Sequence, residues 1–363
     1  MQREDLEAAV AASVIDAESA GRLIVFLERR RGEMVETPGD EGVRFARDFH
    51  DVFIAIGVVL LGVAALIALE FLSPPDPYST AIVAALEAGG FWLLAEYLVR
   101  KRRLWLTSII VTIVFVYLTG LAINIFMIAY NIFPLQADSD AVLRTMLGDN
   151  YISLATAFGS ALGSAAFLLR FRVPFAAATL AASSVASAFF ILATWQPELI
   201  GQYVFHFLFA SGLAVFACAV VLDVSDPHRR SLRTDMAFWL HLLAAPMMVH
   251  GLIMITVGGL PQTPGDAVLV IGLVVILALV AVVLDRRAPL VSVLGYFGVA
   301  LNQIFGSSQG SGSDAVIVAT LVALGAFIVL LGTGWRATRR AVLTVVPLPV
   351  RLRTLSPLPD SAL

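Results

Sequence analysis

The chain has 363 residues, of which 59% are hydrophobic and only 14% charged, against roughly 45–50% and about 25% in soluble domains. A purely soluble fold could not hide so much apolar surface, so composition leaves one polytopic membrane domain with short soluble segments. The net charge of −3 is uninformative, a single cysteine excludes an intrachain disulfide or a thiolate metal cluster, and the basic residues make no case for nucleic-acid binding.

Residues 2–33 predict a cytoplasmic helical hairpin. Its first helix covers about Arg3 to Ser13, and Asp16 stands as the N-cap of the second, with Ile15 and Ala20 set for a hydrophobic staple. Leu23, Phe26 and Leu27 form an apolar stripe opposite Arg22 and Arg29. So short a pair cannot bury that stripe alone, and it is expected to dock on the membrane domain, on a second copy or on another protein. Residues 34–50, with Thr37-Pro38-Gly39-Asp40, read as a charged linker. The start is mixed in charge and the first long apolar run begins near Val52, so an uncleaved anchor is expected instead of a signal peptide.

Ten apolar stretches follow, at about 52–72, 80–99, 104–127, 151–169, 173–194, 198–222, 236–258, 266–284, 288–305 and 314–334. Each approaches the ~20 residues that cross hydrocarbon. Of the 24 Lys and Arg, 23 fall in six clusters: Arg3 to Arg47, Arg100 to Arg103, Arg170 with Arg172, Arg229 to Arg233, Arg286 with Arg287, and Arg336 to Arg353. Only Arg144 stands apart. Between successive clusters lie two apolar stretches, so the chain reads as five hairpins. Basic side chains at span ends resist translocation, which places both termini in the cytoplasm. The predicted fold class is an all-α, ten-span bundle in a bacterial inner membrane, with domains at 1–50 (hairpin and linker), 51–335 (membrane) and 336–363 (a cytoplasmic basic, Pro-rich tail, disordered or lying on the membrane surface after Arg340).

The stretches differ in character. The fourth and fifth are rich in Gly, Ala and Ser, with Gly159 and Gly163 at GxxxG spacing, and belong inside the bundle. The eighth, Val268 to Leu284, is almost purely branched aliphatic and should face lipid. Trp105, Tyr130, Tyr151, Trp195 and Trp335 fall near the interfaces, as an aromatic belt does.

Ionisable groups at membrane depth are functional candidates by default. Counted at 1.5 Å per residue, Glu70 lies near the outer end of the first span and Glu87 about 10 Å below the outer end of the second. His206 and His250 sit at a similar depth in spans six and seven, and Asn124, Asn302 and Gln303 also fall in the outer portion. Pro246 leaves the Leu242 carbonyl without its usual donor and is expected to bend the seventh span just before His250. Glu96 has Arg100 at i+4 near the inner surface, the spacing of an ion pair. His241, near the inner end of the seventh span, is expected at the interface.

No HExxH, no Walker lysine and no GxGxxG in a strand context occur. The two histidines at matched depth are a thin basis for haem or a metal ion, so no cofactor is assigned. The stretches Val14-Ile15-Asp16-Ala17-Glu18-Ser19-Ala20-Gly21 and Phe49-His50-Asp51-Val52-Phe53-Ile54-Ala55-Ile56-Gly57 resemble prokaryotic membrane proteins grouped as domain of unknown function 2157. In that family a cytoplasmic helical pair precedes many spans. A tryptophan often follows the first span there, where this chain has Glu70-Phe71-Leu72. The resemblance implies no catalytic residue and no substrate.

The resulting expectation is a non-enzymatic integral membrane protein, in contact with lipid, that binds a small ligand in an outward-facing cavity. Candidate ligand- or proton-binding residues are Glu70, Glu87, Asn124, His206 and His250, with Pro246 widening the space. The alternative is a secondary transporter of a small solute, coupled to protons through Glu87 and a histidine and similar to ten-span drug and metabolite transporters in span count and terminal orientation.

Overall fold

No water inside hydrocarbon can complete a backbone hydrogen bond, so a crossing segment must satisfy its own N–H and C=O groups. The apolar stretches are accordingly helical throughout the computed structural model, which describes residues 49–72, 76–130, 150–226, 231–284, 288–309 and 314–345, together with Val10, Ala12, Val14, Asp16, Glu18, Ser19, Gly21 and Leu23. Among these residues the helices are α1 (Phe49–Phe71), α2 (Pro77–Ala95), α3 (Trp105–Ala129), α4 (Asn150–Phe171), α5 (Phe175–Trp195), α6 (Pro197–Ser225), α7 (Leu232–Thr256), α8 (Pro264–Leu284), α9 (Ala288–Gln309) and α10 (Asp314–Val345). α2 widens at its end into a π turn over Glu96–Lys101. Nine of the described helices are long and apolar enough to cross a membrane, and in α9 the apolar stretch is the shorter Val293–Gly306. All ten helices fall in a unit covering Arg44–Pro357, and a second unit comprises Met1–Val43 with Leu358–Leu363.

Local chemistry starts several helices. Asp76 precedes α2 in an extended conformation (φ −87°, ψ 136°) and accepts from the Ser79 N–H at 3.0 Å, with Pro77 at the first helical position. The hydroxyl and N–H of Ser79 hold the Asp76 carboxyl below its usual range. α8 opens on a capping box around Pro264: the Thr263 N–H donates to Asp266 Oδ2 at 2.9 Å, and the Asp266 N–H to Thr263 Oγ1 at 3.1 Å. In the amino-terminal unit the Ser19 N–H donates to Asp16 Oδ1 at 3.0 Å, the N-cap bond expected there. Phe26 and Leu27 lie outside the described residues.

α3 has no such local cap, because Leu104 precedes it. Its cap comes from α1, 55 residues back in sequence. Buried Asp51 accepts the Leu106 N–H at 2.8 Å, the Thr107 N–H at 3.0 Å and the Thr107 hydroxyl at 2.6 Å. A carboxylate thus meets the positive end of a neighbouring helix and ties α1 to α3.

Glycine sets the closest helix contacts. A Cβ on Gly159 would lie 2.9 Å from Ile123 Cβ and 3.0 Å from Gly120 Cα, and one on Gly163 would lie 3.1 Å from Thr119. The paired glycines therefore bring α4 against α3, as their spacing suggests. α4 also packs on α5, and α5 on α6 and α7. α6 and α7 share the most extensive contact in the bundle, where a Cβ on Gly251 would come within 3.0 Å of the Phe205 carbonyl oxygen. α8 turns Val268, Leu269, Val275 and Ile276 outward, as expected of a lipid-facing span, but packs Val270 and Val274 toward α7 and α9.

The end of α10 departs from the sequence reading. The helix continues to Val345, past Trp335, where the span was expected to end, and into the first residues after Arg340, a tail expected to be disordered or to lie on the membrane surface. Trp335 is buried, with Ala281 and Val282 of α8, Leu290 of α9 and Val342 of its own helix packed around it. Burial against those neighbours supports helical turns whose own composition carries no membrane signal.

Candidate functional site

The buried stripe of α2 runs through Ala81, Ala84, Ala88, Phe91 and Ala95, and Glu87 stands beside it, half-buried. Its Oε2 is shielded from solvent and has no hydrogen-bond partner among the described residues. Asn124 is buried on α3, and its Oδ1 is likewise without a donor. No hydrogen bond joins the two. Trp92–Phe115 at 5.3 Å and Tyr78–Tyr130 at 5.2 Å join α2 to α3, and Asn124 follows Gly120, which packs on α4, by one turn. Glu70 is exposed at the end of α1.

His250, on α7, is hydrogen-bonded through Nδ1 to the Tyr296 hydroxyl of α9. The ring of Phe205, on α6, meets His250 edge-on at 5.8 Å. His206 follows Phe205 directly, so the helix turns it about 100° away. It is exposed, and its ring contact is Tyr203 of its own helix at 5.4 Å. Equal depth therefore does not bring the two histidines together. Pro246 is exposed within an α7 that runs from Leu232 to Thr256. Non-helical backbone occurs in α6, at Tyr203 (φ −117°, ψ 21°), two residues before Phe205, which contacts His250. Farther along α9, the Gln303 side chain donates to the Gln262 carbonyl at 2.6 Å, joining α9 to the α7–α8 connector.

Comparison with known proteins finds no matching family model, no similar curated protein and no solved structure of matching fold. The geometry of the chain is thus the sole guide to its chemistry.

Two polar centres escaped the sequence reading. His241, expected at the interface, is fully buried, and its Nε2 lies 3.0 Å from Asp223 Oδ2 of α6. The close α6–α7 packing supplies both the burial and the acceptor, and neither is visible from position in the span. Glu96 pairs with Arg100 at 3.3 Å as its i,i+4 spacing suggests, but the shorter contact, 2.7 Å, comes from Arg170 of α4. Tyr296 had no signal of its own in sequence; a tyrosine well inside a span, at a depth where histidines also occur, is the pattern that could have flagged it.

Proposed function

We propose that this chain is a non-enzymatic integral protein of a bacterial cytoplasmic membrane, crossing it ten times with both termini cytoplasmic, and that it binds a small ligand in the outer half of the bundle. The observation that carries the ligand reading is the His250–Tyr296 pair bridging α7 and α9, with Phe205 against it and the α6 backbone broken at Tyr203. Polar side chains beside an interrupted helix are how bundles commonly build small-molecule sites at membrane depth. The partition of basic residues supports the orientation, and the likeness of the first ~70 residues to the domain of unknown function 2157 proteins fits a cytoplasmic head before many spans.

A second reading, proton-coupled transport of a small solute, is favoured by Glu87. A buried carboxyl oxygen without a protein donor is completed by its own proton, by water or by a ligand donor, and the first and last of these are what a proton-coupled site uses. One set of proteoliposomes separates the two. The purified protein, with a pH-sensitive dye trapped inside, is challenged with amino acids, sugars and organic cations, while thermal stability is followed in parallel. Ligand binding predicts stabilisation of about 2.7 kcal/mol at a hundredfold excess over Kd, lost in Tyr296→Phe and His250→Gln and kept in Glu70→Gln. Transport predicts, in addition, solute-dependent proton flux that Glu87→Gln abolishes. Stabilisation by no solute, or equal stabilisation of wild type and Tyr296→Phe, rejects the ligand site.

A further inference from the structure

Two turns at the basic end of the bundle share an uncommon backbone. Arg103, between α2 and α3, and Arg172, between α4 and α5, both adopt the left-handed conformation, with φ of 55° and 54°. Among the described residues no other non-glycine residue does so, and the conformation is unfavourable for a side chain bearing a Cβ. Both arginines line one cavity of about 160 Å³.

The other arginines of these turns are engaged. Arg100 and Arg170 hold Glu96 at 3.3 and 2.7 Å, and Arg102 donates to the Tyr97 hydroxyl at 3.0 Å. Neither the Arg103 nor the Arg172 side chain has a hydrogen bond or ion pair among the described residues. The carboxylate at the start of α3, Asp51, is committed to Leu106 and Thr107. Two arginines on the lining of one space, with no carboxylate residue among that lining, supply a donor set suited to phosphate.

The remaining wall is apolar. Trp105 stacks on Trp239 at 6.2 Å and 27°, Phe175 meets Trp239 edge-on at 4.8 Å, and Ile109 lies on the same lining. A soluble anion would use only the charged rim of such a space, whereas an amphiphile uses rim and wall together. We propose that the cavity between the α2–α3 and α4–α5 turns binds an anionic phospholipid, its phosphate between Arg103 and Arg172 and its glycerol and acyl carbons against Trp105, Ile109 and Trp239.

The test uses the delipidated full chain in detergent, titrated with phosphatidylglycerol, phosphatidylcholine and inorganic phosphate, with bound lipid counted by native mass spectrometry. Phosphatidylglycerol should bind about tenfold or more tighter than phosphatidylcholine, because its headgroup keeps a net negative charge for the two arginines, whereas the choline ammonium of phosphatidylcholine offsets the same phosphate charge. The double variant Arg103→Asn, Arg172→Asn removes both charges and keeps a residue type that tolerates the left-handed turn; it should lose that preference, while Arg102→Asn retains it. Equal binding of the two lipids, or a preference that survives the double substitution, overturns the site. Displacement of phosphatidylglycerol by inorganic phosphate marks a soluble-anion site and overturns the lipid assignment. Should the double variant fail to fold, tryptophan fluorescence of the wild type decides: brominated phosphatidylglycerol should quench it more than brominated phosphatidylcholine, and equal quenching refutes the proposal.

Discussion

Asp51→Ala removes the acceptor that caps α3 from another helix, and its effect can be worked out bond by bond. The Thr107 hydroxyl keeps a partner, since the Asp51 backbone carbonyl lies 3.2 Å away. The Leu106 N–H is part-buried and can recover a water. The Thr107 N–H cannot, because Thr107 is fully buried. One orphaned buried donor costs about 1–3 kcal/mol, and exchanging a charge-assisted bond for water adds about 1, so the sum is about 2–4 kcal/mol. That is about 30- to 700-fold in an opening equilibrium. Asp51→Asn keeps one acceptor oxygen and should lose about half as much. Reversible unfolding in mixed micelles gives the global value, and amide exchange at Leu106 and Thr107 the local one. Trp105, stacked on Trp239 beside this turn, supplies a fluorescence signal. A loss below about 0.5 kcal/mol for alanine, within the range of an ordinary surface substitution, would refute the interhelical cap. So would an asparagine variant as damaged as the alanine one.

Gly120→Ala places a Cβ 2.4 Å from Ser160 Oγ and 2.7 Å from the Thr156 carbonyl oxygen, and should destabilise by about 1–3 kcal/mol through overpacking. Gly89→Ala meets nothing within 4 Å and should be neutral or stabilising by up to about 1 kcal/mol; equal effects in the same unfolding assay would contradict the α3–α4 contact. Asp223→Ala leaves the buried Nε2 of His241 without this partner and should cost about 1–3 kcal/mol, a loss that thermal unfolding would miss only if the pair were absent. For Asp76, whose carboxyl is held low by Ser79, the cap is fully in place above the ordinary aspartate value and is lost as pH falls through its own lower value. Amide exchange at Ser79 should therefore accelerate at acid pH, an effect missing from Asp76→Asn. In a Cys218→Ser background, cysteines at Asp76, Ser139, Gln262 and Gln309 should react with an impermeant thiol reagent added outside, and those at Glu36, Arg102 and Arg230 should not; reversal at two positions removes the ten-crossing topology.

Apolar runs, their basic flanks and their capping residues are signals carried within a few neighbouring residues. For that reason the chain alone specified an all-helical membrane bundle, the approximate bounds of most helices, the Asp16 cap, the Glu96–Arg100 pair and the close face around Gly159 and Gly163. Depth along a span follows in the same way from counting residues. Rotation about a helix axis and the identity of the neighbouring helix do not, because both are settled by side-chain packing between segments far apart in sequence. That is why His206 and His250 share a depth and no contact, and why Glu87 and Asn124 have no hydrogen bond between them. The partnerships of Asp51 with Thr107, Asp223 with His241 and His250 with Tyr296 arise only once helices are placed side by side. Arg103 and Arg172 belong with them: each is an ordinary span-end arginine in the sequence, and only the tertiary fold sets both at the rim of one cavity.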